Sequence, residues 1–269
     1  MSYPFLKGHG TENDFVLLPD HDGATHGELD PARVRALCDR RAGIGGDGVL
    51  RVVRTVAIED GAGQDAEWFM DYRNADGSVA EMCGNGVRVF ARHLYDEGLT
   101  PADEPVRIAT RSGVKTVRRE GDLLTAELGP SSFRGETKVS VGDRSWAATH
   151  VVVGNPHAIV LLDDLAEAGP LTESPAYDDG VFPDGVNVEF VVRRGPDHIA
   201  MRVYERGAGE TRSCGTGSCA AALAAAGTEG PGRWRVDVPG GTLHVSRDDA
   251  GTVSLTGPAV VVARGETSL

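Results

Sequence analysis

The stretch Cys214-Gly215-Thr216-Gly217-Ser218-Cys219-Ala220-Ala221-Ala222-Leu223-Ala224-Ala225-Ala226-Gly227 decides the fold. Alanine and leucine favour helix, and Gly227 is a natural stop just beyond it. No polar face interrupts the run, so this helix is apolar all round and must be buried on every side. A helix threaded through a sheet-rich shell meets that demand. The helix also begins in an unusual way, with a cysteine and a Gly-x-Gly turn.

Working outward, the same opening occurs earlier. Cys83-Gly84-Asn85-Gly86 precedes Val87, Phe90, Ala91 and Leu94 at helical spacing, with Gly98 at the end. Asn74 lies nine residues before the first cysteine and Glu205 nine before the second. Asn13-Asp14-Phe15-Val16-Leu17-Leu18 is similar to Asn155-Pro156-His157-Ala158-Ile159-Val160-Leu161-Leu162. The chain therefore holds a weak internal repeat of strand, Gly-rich loop, cysteine and helix. It implies two similar α/β domains facing each other, their cysteine-bearing helix starts meeting at one cleft. The expected domains are 1–128 and 129–257, divided near Leu128-Gly129-Pro130, with 258–269 returning to the first.

A third helix is capped by Asp30, has Pro31 in its first turn, buries Val34, Leu37 and Cys38, and is expected to stop near Gly43. Elsewhere short β segments bounded by Gly, Pro, Asp or Asn dominate. They are Val49 to Val56, Glu67 to Tyr72, Val114 to Arg119, Leu123 to Leu128 and Ser145 to Val153. Ala158 to Leu162, Val186 to Val192, Ile199 to Tyr204, Arg233 to Val238 and Thr252 to Leu255 follow.

Composition narrows the class. The 269 residues are 40% hydrophobic and 25% charged, the mix of a folded soluble chain. No run approaches the ~20 apolar residues of a membrane span. Met1 to Gly10 lacks a basic segment followed by an apolar one, so no secretory leader is expected and the cytoplasm is the expected location. A net charge of −13 argues against a nucleic-acid partner. The four cysteines, Cys38, Cys83, Cys214 and Cys219, form no C-x-x-C pair, so neither a metal site nor a disulfide framework is expected. Cys38, on an apolar helix face, and Cys219, within the alanine run, read as packing residues.

Cys83 and Cys214 read differently. A helix start offers unpaired N–H groups and a positive dipole end, which favour anions and thiolates. Two thiols acting as a pair would share one proton. A thiolate could then remove a proton from one face of a carbon while a thiol returned one to the other. The glycine-rich starts, with Gly84, Asn85, Gly215 and Thr216, would grip an α-carboxylate and stabilise the enolate-like charge. No cofactor is needed for such an inversion. A pyridoxal phosphate enzyme needs a Schiff-base lysine, and the three lysines Lys7, Lys115 and Lys138 lie in no phosphate loop. Gly43-Ile44-Gly45-Gly46-Asp47-Gly48 has the letters of a dinucleotide fingerprint in the wrong context, following a helix and preceding a strand, and reads as a tight turn. A Cys–His hydrolase built on His157 is the weaker alternative.

The runs His-Gly-Thr-Glu-Asn-Asp-Phe from His9, the segment from Tyr72 through Cys83 to Arg88, Gly154-Asn155-Pro156-His157, and the segment from Glu205 through Cys214 to Ala221 together resemble the diaminopimelate epimerase family. The likeness spans the chain in the family's order. Proline racemases and hydroxyproline epimerases, the nearest alternative, usually carry a histidine where Asn85 stands; a non-catalytic binding protein of the same fold is the other. The resemblance implies interconversion of LL- and meso-2,6-diaminoheptanedioate, in lysine and peptidoglycan precursor synthesis, without a cofactor. It matches Cys83 and Cys214 to the two bases, and Asn13, Asn74, Asn155, Asn187 and Arg206 to the holders of the distal amino-acid end. His157 and Glu205 match residues near the reacting end. It further implies a homodimer of pseudo-two-fold α/β chains, each domain a strongly curved mixed sheet around a central helix. Thr11-Glu12 departs from the Leu-Gly common in the family.

Overall fold

The computed structural model describes residues 2–227 and 230–269. Met1, where the N-terminal domain read above begins, and positions 228 and 229, inside its C-terminal counterpart, lie outside the described residues. The chain divides into unit 1, Met1–Ala126 with Gly257–Leu269, and unit 2, Glu127–Thr256.

Unit 1 opens with β1 (Tyr3–Gly10), β2 (Asn13–Pro19), α1 (Pro31–Cys38), β3 (Gly48–Arg54) and β4 (Trp68–Asn74). It continues through α2 (Gly84–Asp96), β5 (Val106–Ala109), β6 (Lys115–Glu120) and β7 (Leu123–Pro130), which leads out of it. Unit 2 holds β8 (Ser132–Val141), β9 (Arg144–Val153), β10 (Asn155–Leu162), β11 (Asn187–Gly195) and β12 (His198–Glu205). Then come β13 (Gly209–Thr211), α3 (Gly215–Ala226), β14 (Gly232–Val238), β15 (Gly241–Arg247) and β16 (Thr252–Pro258). The last strand, β17 (Val260–Thr267), belongs to unit 1.

Hydrogen-bonded pairing gives unit 1 the order β17-β1-β2-β3-β4-β5-β6-β7, with β2–β3 and β4–β5 parallel and the other pairs antiparallel. Unit 2 has the order β8-β9-β10-β11-β12-β14-β15-β16, with β10–β11 and β12–β14 parallel. The two orders and directions coincide strand for strand, so the internal repeat is a repeat of topology. One connection differs: β8 runs straight into β9, whereas its counterpart β17 reaches β1 from the far end of the chain.

Each unit wraps its sheet around its own helix. Strands β9, β10, β11, β12, β14 and β15 touch α3, and every residue from Gly215 to Ala225 is buried. Alanine lets strands approach from all sides, which is why this helix has no polar face. Gly227 ends it in the left-handed region (φ 65), its N–H bonding the carbonyls of Leu223 and Ala224. In unit 1, β1 to β6 and β17 touch α2. That helix buries Val87, Val89, Phe90 and Leu94 and keeps an Arg92–Asp96 ion pair of 2.9 Å on its outer face. Among the described residues, no helix is long and apolar enough to cross a membrane.

Two sequence expectations need correction. The strand expected to reach Val56 stops at Arg54; Thr55–Ala57 form a 3-10 turn with Val56 95% exposed. Its alternation fails because the chain turns there, tied by the Thr55 N–H to the Glu67 carbonyl at 2.9 Å. Helix α1 ends at Cys38 rather than near Gly43. The Asp39 carboxylate accepts the N–H groups of Arg41 and Ala42, both at 2.7 Å, and so offers the backbone an alternative to another turn. β-patterning also leaves out β1, β2, β5, β8, β13, β15 and β17. The edge strands β8 and β17 carry exposed Arg134, Glu136, Lys138, Arg264 and Glu266, and each takes its register from one neighbour.

Candidate active site

Both singled-out cysteines are helix N-caps. Cys83 (φ −140, ψ 124) precedes α2, and Cys214 (φ −117, ψ 120) precedes α3. Each sulfur accepts the N–H three residues on, from Gly86 and Gly217 respectively, at 3.4 Å. Serine, threonine, aspartate or asparagine would cap better, because sulfur is a weak acceptor. Helix stability therefore does not account for cysteine at either place.

In unit 1, Asn13 starts β2 after a two-residue hairpin loop, Thr11 and Glu12, both at positive φ. This turn aims the Asn13 amide at the cap. Cys83 Sγ donates to Asn13 Oδ1 at 3.6 Å, and Asn85 Nδ2 donates to the same oxygen at 3.2 Å. Asn13 Nδ2 in turn donates to Asp47 Oδ2 at 2.7 Å. Behind Asn85, fully buried Arg88 donates to its Oδ1 at 2.9 Å and to the Gly84 carbonyl at 3.2 Å. Cys83, Gly84, Asn85 and Asn13 thus form one connected group. Asn74, at the end of β4, instead donates to Ser78 Oγ at 3.0 Å.

In unit 2, Asn187 starts β11 and its Nδ2 donates to Cys214 Sγ at 3.8 Å. Thr216 Oγ1 lies 3.6 Å from the same sulfur. Asn187 Oδ1 accepts the Arg206 N–H at 2.9 Å, while the Arg206 guanidinium donates to the Asp184 carbonyl at 2.7 Å. His157 and Glu189 are fully buried, with Nδ1 and Oε1 2.7 Å apart. His157 Nε2 lies 3.2 Å from Asn155 Oδ1. Glu205, closing β12, accepts from the Thr211 hydroxyl. The unit-2 residues form two groups: Cys214 with Asn187, Thr216 and Arg206, and His157 with Asn155 and Glu189.

Burial pushes the Cys214 thiol well above its ordinary value, and the carboxylates of Glu205 and Glu189 push it further. The Gly217 N–H and the Thr216 hydroxyl pull the other way. Cys214 is accordingly a thiol at neutral pH in this state. Cys38, read as packing, is buried under β3 and burial holds its thiol at about 11; Cys219 is fully buried within α3. Near Asn13, burial raises Asp47, opposed by its hydrogen bond from Asn13. Burial also acts on Asp14, but hydrogen bonds from Arg40 and Lys7 hold it well below the usual carboxylate range. Among the described residues no cluster of three or more His, Cys, Asp or Glu side chains could hold a metal ion.

Sequence reading missed three supporting residues. Asp47 looked like part of a glycine turn; only its fixing of Asn13 gives it meaning. Arg88 entered only as the end of a matching segment, with no role read for it. Glu189 sits in the run Val188-Glu189-Phe190, where alternation assigns it to an outer face, yet it is wholly buried.

The chain matches the family model for diaminopimelate epimerase over residues 5–133 and 149–262. It is 56% identical over 277 aligned residues to the diaminopimelate epimerase of Streptomyces coelicolor, covering 97% of this chain and 94% of that one. With the diaminopimelate epimerase of Corynebacterium glutamicum it shares 44% identity over 100% of this chain and 99% of the other. Among solved structures, a hydroxyproline epimerase from Agrobacterium vitis is similar at TM-score 0.71 and 16% identity, covering 100% of this chain and 93% of that one. A phenazine biosynthesis protein of the PhzF family from Bacillus anthracis is similar at TM-score 0.72 and 16% identity, over 100% of both chains. At that identity the last two likenesses bear on fold alone.

Proposed function

The chain belongs to the diaminopimelate epimerase family and interconverts stereoisomers of diaminopimelate, and from that premise we propose that Cys83 and Cys214 are its acid–base pair. One thiolate removes the α-proton, and the other thiol gives a proton to the opposite face of the carbanion, so that LL- and meso-diaminopimelate interchange. The observation that carries this reading is the duplicated cysteine cap: each unit places one sulfur among the N–H groups of a buried helix start. Those N–H groups, at Gly84, Asn85, Gly215 and Thr216, stabilise the charge that develops on the α-carboxylate. Burial and the nearby carboxylates keep the proton on Cys214 in the unliganded state, and in the reversible reaction each cysteine is the base in one direction and the acid in the other. Two thiols supply every proton transfer the inversion needs, so no cofactor takes part.

The distal amino-acid end falls to Asn13, Asn74, Asn155, Asn187 and Arg206. Amides both donate and accept, as a zwitterion requires, and the Arg206 guanidinium, bonded to a neutral carbonyl, has donors left for a carboxylate. His157 and Glu205 serve the reacting end. The enzyme works in the cytoplasm as a homodimer, supplying lysine and peptidoglycan precursors.

Incubation of the purified protein with the LL substrate in deuterated water, followed by mass spectrometry, is the test. One deuterium per turnover should appear at the inverted carbon. Exchange with proline or hydroxyproline and none with diaminopimelate would overturn the reading. Cys83→Ser and Cys214→Ser keep a helix cap but lose the acid–base group; each should cut kcat by about 10³-fold or more. Light scattering of the purified protein checks the dimer.

A further inference from the structure

The two half-sites share a topology but not what lies beneath the cysteine caps. In unit 1, Leu17 pairs in register with Leu50, and Phe15 with Gly48. In unit 2, Ile159 pairs with Glu189, and His157 with Asn187. Phe15 and Leu50 are thus the counterparts of His157 and Glu189. Helix contacts repeat the correspondence. A Cβ placed on Gly86 would meet Leu50 Cδ2 at 3.4 Å and Phe15 Cζ at 3.5 Å. One placed on the equivalent Gly217 would fall 2.3 Å from Glu189 Oε1. Where unit 1 keeps an apolar pair, unit 2 keeps a fully buried carboxylate and imidazole 2.7 Å apart. Glu189 Oε2 is buried with no hydrogen-bond partner among the described residues. Such a group costs stability, and unit 1 shows that the fold accepts an apolar pair in its place.

We propose that Glu189 is a positioning residue of the Cys214 half-site: its carboxylate accepts the Nδ1–H of His157, fixes that tautomer with Nε2 toward the Asn155 amide, and sets a negative charge against the first turn of α3 beside Cys214. The consequence for turnover rests on the two-cysteine reading above; the geometry does not. The carboxylate lies against the turn that Cys214 caps, and its charge adds to that of Glu205 in raising the thiol. Among the described residues, His150 on β9 interacts with His157, and Glu205 on β12 acts together with Glu189 on Cys214 at the α3 cap.

Two variants and one spectrum test the idea. Glu189→Gln removes the charge at constant shape. In a Cys83→Ser background it should move the pH midpoint of Cys214 alkylation down by about half a unit or more, and with both cysteines intact it should lower kcat about tenfold or more with little change in KM. The double variant His157→Phe/Glu189→Leu installs the pair that unit 1 carries. It should unfold at the same or a higher temperature, since apolar replacement of a buried ionisable pair is often neutral or stabilising, and yet epimerise poorly. Should Glu189→Gln not fold, the ring of His157 in the unaltered protein decides. Its ¹⁵N–¹H correlation, assigned with His157→Asn, should show Nδ1 protonated at neutral pH. An unprotonated Nδ1, or a folded Glu189→Gln with unaltered alkylation and kcat, overturns the proposal. Absence of diaminopimelate epimerisation by the unaltered protein would instead overturn the functional reading and leave the ring tautomer as a separate test.

Discussion

Gly217 shows how closely single residues are placed. A methyl there would collide with the Glu189 carboxylate at 2.3 Å and crowd the Cys214 Cβ at 3.2 Å. Gly217→Ala is therefore expected to lower kcat/KM by about 10²-fold, the scale of a small misplacement at a reacting group. Gly86→Ala, whose tightest contact is the Cys83 Cβ at 3.3 Å, should cost less; steady-state kinetics of the two variants checks the order. A second residue-scale effect lies away from the cysteines. His93 is 2% exposed within α2, and neither ring nitrogen has a partner among the described residues. Burial pushes its imidazole from 6.5 down to about 4. The folded protein thus binds this proton more weakly than the unfolded chain. Stability is unaffected above pH 6.5, falls as pH drops from there toward 4, and has lost roughly 3 kcal/mol below that. His93→Leu should flatten that fall in denaturant titrations run across the same pH window. At this scale the sequence announced what repeats, namely the two cysteines and their glycines. It hid Asp47 and Glu189, because a buried carboxylate is recognisable only through the partner that folding brings to it.

Elements were legible where a local signal sets them. Asp30 caps α1 by accepting the Ala32 N–H at 2.6 Å, with Pro31 following, and both features can be read from three letters of sequence. Asp30→Ala should cost about 1 kcal/mol, measured by chemical denaturation. Strands β8 and β17 were illegible, because an edge strand with exposed charges is defined by the neighbour it joins. The loop between β1 and β2 combines both cases. Thr11 (φ 49) and Glu12 (φ 62) hold left-handed conformations that glycine adopts at no steric cost. Glu12→Gly is expected to raise stability by up to about 1 kcal/mol, the strain relieved outweighing the entropy added to the unfolded chain. An unchanged or lower denaturation midpoint would show that the entropy gained by the unfolded chain offsets the strain relieved.

On the scale of the whole molecule, the repeat was legible as an order of motifs, while its exact equivalence in strand pairing was not. Parallel pairs such as β2–β3 and β10–β11 join segments far apart in sequence, and no local pattern specifies them. The same bookkeeping of strands sets an expectation for fragments. Unit 2 is continuous, so the segment 127–256 should fold cooperatively in isolation, whereas 1–126, lacking β17, one of the two partners of β1, should not. Thermal denaturation followed by circular dichroism tests both.

Synthesis on the ribosome runs in one direction, and β17 is made after every strand of unit 2. The half that carries Cys214 has all its strands available while the half that carries Cys83 still waits for an edge. Nascent chains would then acquire their two sulfurs' surroundings at different times, the later segment first. An early stop codon in the final stretch would release a molecule whose newer half is finished and whose older half is left open.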